Sequence, residues 1–153
     1  MSTPEDRLAA LGLSVPEVAK PVAAYVPAVR TGSYVYTSGQ LPMVDGVLAG
    51  TGKVGAEVSP ERAKELAQIC GLNALAAVRS VVGDLSAVTR VVKVVGFVAS
   101  TPEFTGAPAV VNGVSELLGA VFGDAGVHAR SAVGVTALPL DAPVEVEVVF
   151  EVA

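Results

Sequence analysis

Residues 144–152 read Val-Glu-Val-Glu-Val-Val-Phe-Glu-Val, with Val144, Val146, Val148, Phe150 and Val152 alternating against Glu145, Glu147, Val149 and Glu151. A period of two puts each set on its own side of an extended chain, so this is a strand with one face for the core and one acidic face. Just upstream, Ala129 to Leu138 alternates less cleanly: Ser131, Val133 and Val135 share one side, and Arg130, Ala132, Gly134 and Thr136 the other. The segment Pro139-Leu140-Asp141-Ala142 carries turn residues and predicts a hairpin joining the two strands.

Working further outward, Val111, Val114, Leu117, Leu118 and Val121 recur at helical spacing between about Pro108 and Phe122, with Gly123 as the stop. Val88 to Ala99 is valine-rich and reads as a strand. Ser59-Pro60-Glu61 supplies a capping hydroxyl, a first-turn proline and an acid at the positive helix end. A long helix follows, with Leu66, Ile69, Cys70, Asn73, Ala77, Val78 and Val81 on one stripe until Gly83. Gly46, Gly50, Gly52 and Gly55 scatter through 43–58, which predicts loop with a short strand. Tyr25 to Arg30 and Ser33 to Thr37 flank Thr31-Gly32 as a hairpin. Thr3-Pro4-Glu5-Asp6 opens a short N-terminal helix, a helical extension over 1–13 that ends near Gly12. The order is that of one α+β domain over 1–153, a mixed or antiparallel sheet with two helices stacked on one face. The other sheet face is left to find a partner.

The 153 residues are 52% hydrophobic and 16% charged, far from the composition of a disordered chain. No stretch gives roughly 18 uninterrupted apolar residues, so no membrane span is expected. Glu5, Asp6 and Arg7 stand where a secretory signal needs a basic start and an apolar run, which makes the cytoplasm the expected location. One cysteine and one histidine exclude an internal disulfide and argue against a metal site. A net charge of −5 disfavours nucleic acid as a partner.

Arg130 stands out among the ionisable residues, because its neighbours Ala129, Ser131 and Ala132 are small and leave the guanidinium unscreened. Such a fork suits a carboxylate, although a strand arginine that merely covers apolar surface is the commoner case. Glu145 on the acidic face has the chemistry to place or activate a water if a cleft buries it. Were the hairpin centred near Leu140 and Asp141, Arg130 would face Glu151 and lie roughly 20 Å from Glu145 at strand rise. A pocket using both would then have to be built between subunits.

Thr37-Ser38-Gly39-Gln40-Leu41-Pro42 ends a strand with hydroxyl, glycine and amide, a place where backbone N–H groups meet an anion. Ser38 has no adjacent His or Lys to activate it as a nucleophile. His128 is a general-base candidate whose commoner reading is a surface residue, and Cys70 reads as an inert buried thiol. Asn112-Gly113 interrupts the second helix, where Asn lowers helix propensity. Tyr25 suits either a pocket wall or core packing.

Taken together, Ala24-Tyr25-Val26, Tyr36-Thr37-Ser38-Gly39-Gln40-Leu41-Pro42, Asn73-Ala74-Leu75, Val111-Asn112-Gly113, Ala129-Arg130-Ser131-Ala132-Val133 and Leu138-Pro139 leading to Val144-Glu145-Val146-Glu147 resemble the YjgF/RidA family. They occur in family order from about Val22 to Val152. The N-terminal helix and the lengthened 43–58 region resemble a longer branch labelled endoribonuclease or chorismate mutase-like. The resemblance implies a chorismate mutase-like fold and a homotrimer with three ligand clefts at subunit interfaces. It also implies that Arg130 holds a substrate carboxylate and that Glu145 helps place the hydrolytic water, with Tyr25, Ser38, Gly39 and Asn112 at further pocket positions. The implied reaction is hydrolysis of 2-enamino or 2-imino acids to 2-oxo acids and ammonia, without metal or cofactor. Deaminase members often carry Pro and Cys where this chain has His128 and Ala132. The alternative is a trimer that binds small carboxylates without catalysis, and ribonuclease action ranks below both.

Overall fold

The computed structural model describes residues 2–18 and 23–153; Val22, where the resemblance begins, lies outside the described residues. The chain runs α1 (Pro4–Ala10), β1 (Ala28–Thr31), β2 (Tyr34–Thr37), β3 (Met43–Val44), β4 (Val47–Leu48), α2 (Pro60–Val82), β5 (Val88–Ala99), α3 (Ala107–Phe122), β6 (Ala129–Val135) and β7 (Val144–Val152). The starts and stops follow the capping chemistry. In α1 the Thr3 hydroxyl accepts from Asp6 N–H at 3.1 Å while Thr3 N–H donates to the Asp6 carboxylate at 2.9 Å. Ser59 caps α2 by accepting from Arg62 N–H at 3.1 Å, and Gly83, at φ 86°, ends it in a conformation that favours glycine.

The five-stranded sheet has the order β1-β2-β7-β5-β6, and β3 and β4 form a separate small hairpin. All pairings in the large sheet are antiparallel except β5 with β6, so the sheet is mixed. Val144, Val146, Val148, Phe150 and Val152 are buried beneath the helices, with α2 lying on β7 and α3 on β5. By length and composition α2 could cross a membrane, but Leu66, Cys70, Ala74 and Val78 are buried between sheet and α3, as in a core helix. Val81, expected on that stripe, is exposed in the last turn of α2.

The expected β6–β7 hairpin does not form. Arg130 is level with Val94, which is level with Val148, so β5 lies between the two strands. The cause is the β5–α3–β6 unit: a helix that returns the chain over the sheet sets the second strand parallel beside the first. Pro139–Asp141, with Leu140 at φ 59°, then forms a short 3₁₀ turn, after which the chain returns to the middle of the sheet. The Tyr25–Arg30 run also enters its strand late, at Ala28, leaving Tyr25 in a bend.

Close packing of α3 depends on glycine. A methyl group at Gly113 would collide with the Lys64 carbonyl of α2, and one at Gly96 of β5 would collide with Val111. Gly113→Ala is therefore expected to cost about 2–3 kcal/mol as overpacking and to lower Tm by roughly 5–10 °C. Gly119→Ala, where nothing lies within 4 Å, is expected to raise stability by about 0.5–1 kcal/mol through helix propensity alone. Thermal denaturation of both variants checks the pair, and equal effects would contradict the packing argument.

Candidate functional site

The six residues singled out in the sequence fall into two groups. The first lies where β2 leaves the sheet. Paired hydrogen bonds of Gln40 with Val146, at 2.7 and 3.0 Å, hold the end of this segment against β7. Ser38 N–H donates to the Pro27 carbonyl at 2.8 Å, and the Ser38 hydroxyl donates to the Val26 carbonyl at 2.6 Å. These bonds bring the exposed Tyr25 and its segment alongside Ser38, and they occupy the hydroxyl hydrogen that an activated nucleophile would give to a base. Gly39 packs so closely on the Glu145 carboxylate that a side chain there would displace it. Gly39 N–H meets no acceptor among the described residues.

Glu145 is half-buried and forms no hydrogen bond or ion pair with the described residues. Burial, and next the negative charge of Glu147 on the same strand face, push its pKa above the ordinary glutamate range. A carboxyl group in this state exchanges its proton nearer to neutral pH than a free glutamate does.

The second group sits on the other side of the sheet. Arg130 shares a face with Val94 and so points toward α3, where its Nη1 donates to Asn112 Oδ1 at 2.7 Å and to Ser115 Oγ at 3.2 Å. Ser115 Oγ also lies 2.9 Å from His128 Nε2, and His128 Nδ1 lies 2.6 Å from the Gly126 carbonyl. His128 is accordingly a partly buried, engaged residue and not the surface residue expected from its strand entrance. Ser115 escaped the sequence reading, since a serine on a helix flank fits no motif. The signal was its spacing of three from Asn112, which puts both on one edge of α3. No carboxylate pairs with Arg130; the ion pairs among the described residues are Lys53–Asp141, Arg62–Glu65 and Lys64–Glu116.

Glu145 is level with Phe97 and Val133, three positions from the level of Arg130 and on the opposite sheet face. Within one chain Arg130 and Glu145 therefore cannot meet across a ligand, for a reason that replaces the hairpin spacing. On Glu145's face Val29, Tyr34, Tyr36 and Val133 are 40–53% exposed, a broad apolar surface with Glu145, Glu147 and Glu151 among it. Cys70, on the helix side, is buried with its thiol on the Val144 carbonyl; burial, then the Glu145 charge, push its pKa well up, in keeping with an inert thiol.

Because the folded-state pKa of Glu145 is raised, its contribution to stability is full at low pH and is lost as pH rises through that pKa. Glu145→Gln is expected to raise Tm near pH 7 and to leave it unchanged near about pH 4, as thermal denaturation at the two pH values will show. A lower Tm at neutral pH would contradict the uncompensated burial of this carboxylate.

A family model described as "YjgF/chorismate mutase-like, putative endoribonuclease" matches residues 5–152. Protein TCP17 of Trypanosoma cruzi is 42% identical over 142 residues, covering 92% of this chain and 89% of its own. The crystal structure of protein Atu1372 of Agrobacterium tumefaciens superposes with a TM-score of 0.93 at 44% identity, over 98% of this chain and 92% of that one. A "putative endoribonuclease" from Shewanella oneidensis superposes with a TM-score of 0.95 at 32% identity, over 99% of this chain and 100% of that one. The motifs from Tyr25 to Glu147, the mixed sheet under two helices and these matches agree, and the chain belongs to the YjgF/chorismate mutase-like family.

Proposed function

We propose that this protein is an enamine/imine deaminase, a homotrimer that hydrolyses 2-imino and 2-enamino acids to 2-oxo acids and ammonia at clefts between subunits. The observation that carries this reading is Arg130: a half-buried guanidinium held by neutral oxygens of α3, with no protein carboxylate on it. A bound carboxylate supplies the missing charge and accepts the paired N–H groups of the fork. The apolar open face of the sheet, with Val29, Tyr34, Tyr36 and Val133, supports association of copies through that face. Association lets Glu145, Ser38 and Gly39 of one copy approach Arg130 and Asn112 of another, which a single chain forbids.

In such a cleft the chemistry needs little beyond placement. The imine carbon is already electrophilic, and a carboxylate clamp beside a held water supplies proximity and charge complementarity. On the protonated imine, Glu145 accepts a proton from the attacking water as its oxygen bonds to the carbon and the C=N electron pair moves onto nitrogen. Glu145 then returns that proton to the amine of the tetrahedral adduct, the C–N bond breaks to release ammonia, and the carbonyl forms as the adduct hydroxyl gives its proton to solvent. The raised pKa of Glu145 suits a group that takes and returns a proton within one turnover. Ribonuclease action, the activity in the family description, fits less well, since the net charge is −5 and the three glutamates of the open face outnumber its Arg90 and Lys93.

The test generates 2-aminoacrylate from serine with a dehydratase and follows 2-oxo acid release. Wild type is expected to accelerate release, and Arg130→Ala to lose roughly 100-fold or more through the missing charge-assisted bonds while sedimenting as the same trimer of 15.3 kDa chains. An unchanged rate in the variant overturns the anchor. No acceleration by folded wild type, together with a ligand-induced rise in Tm, favours carboxylate binding without catalysis.

A further inference from the structure

Ser115 and His128 have no part in the chemistry above, yet both are tied to Arg130. The direction of each hydrogen bond follows from what each group can do. The Gly126 carbonyl only accepts, so His128 Nδ1 carries the hydrogen across the 2.6 Å contact. In the tautomer with hydrogen on Nδ1 alone, Nε2 is an acceptor and Ser115 donates its hydroxyl hydrogen across 2.9 Å. The Ser115 oxygen thereby turns a lone pair to Arg130 Nη1 at 3.2 Å, while Asn112 Oδ1 accepts from the same nitrogen at 2.7 Å. At the far end of this chain Gly126 is buried and packs so tightly on the Leu118 carbonyl that a side chain has no room.

We propose that His128 and Ser115 are positioning residues that orient the Arg130 guanidinium for its ligand. This inference rests on the reading of Arg130 as a carboxylate anchor. Two acceptors use the two N–H groups of Nη1, and the edge formed by Nε and Nη2 is left for the bidentate carboxylate. A long side chain held this way loses less rotamer freedom on binding, so the network acts on affinity. Without His128 the Ser115 hydroxyl is free to turn back onto its own helix, as serine does in a helix interior, and the Nη1 contact loses its fixed lone pair.

The proposal is tested on the full-length protein with His128→Ala, His128→Gln and Ser115→Ala. Gln places an amide oxygen near the site of Nε2 and restores the acceptor. In the aminoacrylate assay His128→Ala and Ser115→Ala are expected to raise KM about 3–10-fold with kcat within about 2-fold, and His128→Gln to recover most of that loss. A second readout needs no turnover: in nitrogen-15 arginine-labelled protein, a held Arg130 gives separate Nη1 and Nη2 signals. His128→Ala is expected to merge them, and His128→Gln to keep them apart. Wild type without turnover but with these signals behaving as stated removes the deaminase reading and keeps the positioning. An active wild type whose KM and Arg130 signals are indifferent to His128→Ala and Ser115→Ala overturns the positioning and keeps the deaminase.

Discussion

Helices lie in closest contact only where the meeting points lack side chains, and α3 meets both α2 and β5 at glycine. Gly113 rests on the Lys64 carbonyl of α2, and Gly96 of β5 leaves room for Val111. Gly71 of α2 likewise faces Val114 and Leu117. With α3 seated at this depth, Asn112 and Ser115 come within hydrogen-bond reach of Arg130 on the edge strand. A shallower helix would leave the guanidinium in solvent, where it would sample many rotamers. The packing of three small residues thus governs the geometry of the one cation on which the functional reading rests.

Local patterns in the sequence settled what each segment is, and long-range pairing was harder to read. Ser59-Pro60-Glu61 and Gly83 bracket α2 as expected, and Val88 to Ala99 is β5 with the expected ends. The alternation of 144–152 correctly separates buried valines from the half-buried acidic side. Which strand lies beside which is another matter, because alternation reports a face and not a neighbour. Pro139-Leu140-Asp141-Ala142 has hairpin chemistry, but the strand–helix–strand order of β5, α3 and β6 imposes a parallel pair and overrides it. Asn112-Gly113 looked like an interruption of a helix. It is an amide that accepts from Arg130 beside a packing glycine, two jobs that helix propensity does not report. Arg130 stands out in the sequence through its small neighbours, but the α3 oxygens that hold it and the engagement of His128 emerge only when α3 is laid over β6.

The electrostatics of the two groups are complementary. Arg130 has hydrogen-bond partners without negative charge, and Glu145 is desolvated without a hydrogen-bond donor. Each is a cost to the isolated chain that a ligand bearing a carboxylate and a polar reacting centre removes. Their placement on opposite faces of one sheet makes assembly a condition of the proposed activity.

The most direct measurement is a crystal structure of the assembled protein grown with pyruvate, a 2-oxo acid. The account predicts a bidentate contact of the pyruvate carboxylate with Nε and Nη2 of Arg130, and Glu145 of a neighbouring copy within reach of the keto carbon. A structure in which an acidic side chain of a neighbouring copy occupies that edge of Arg130, or in which pyruvate binds elsewhere, would contradict it.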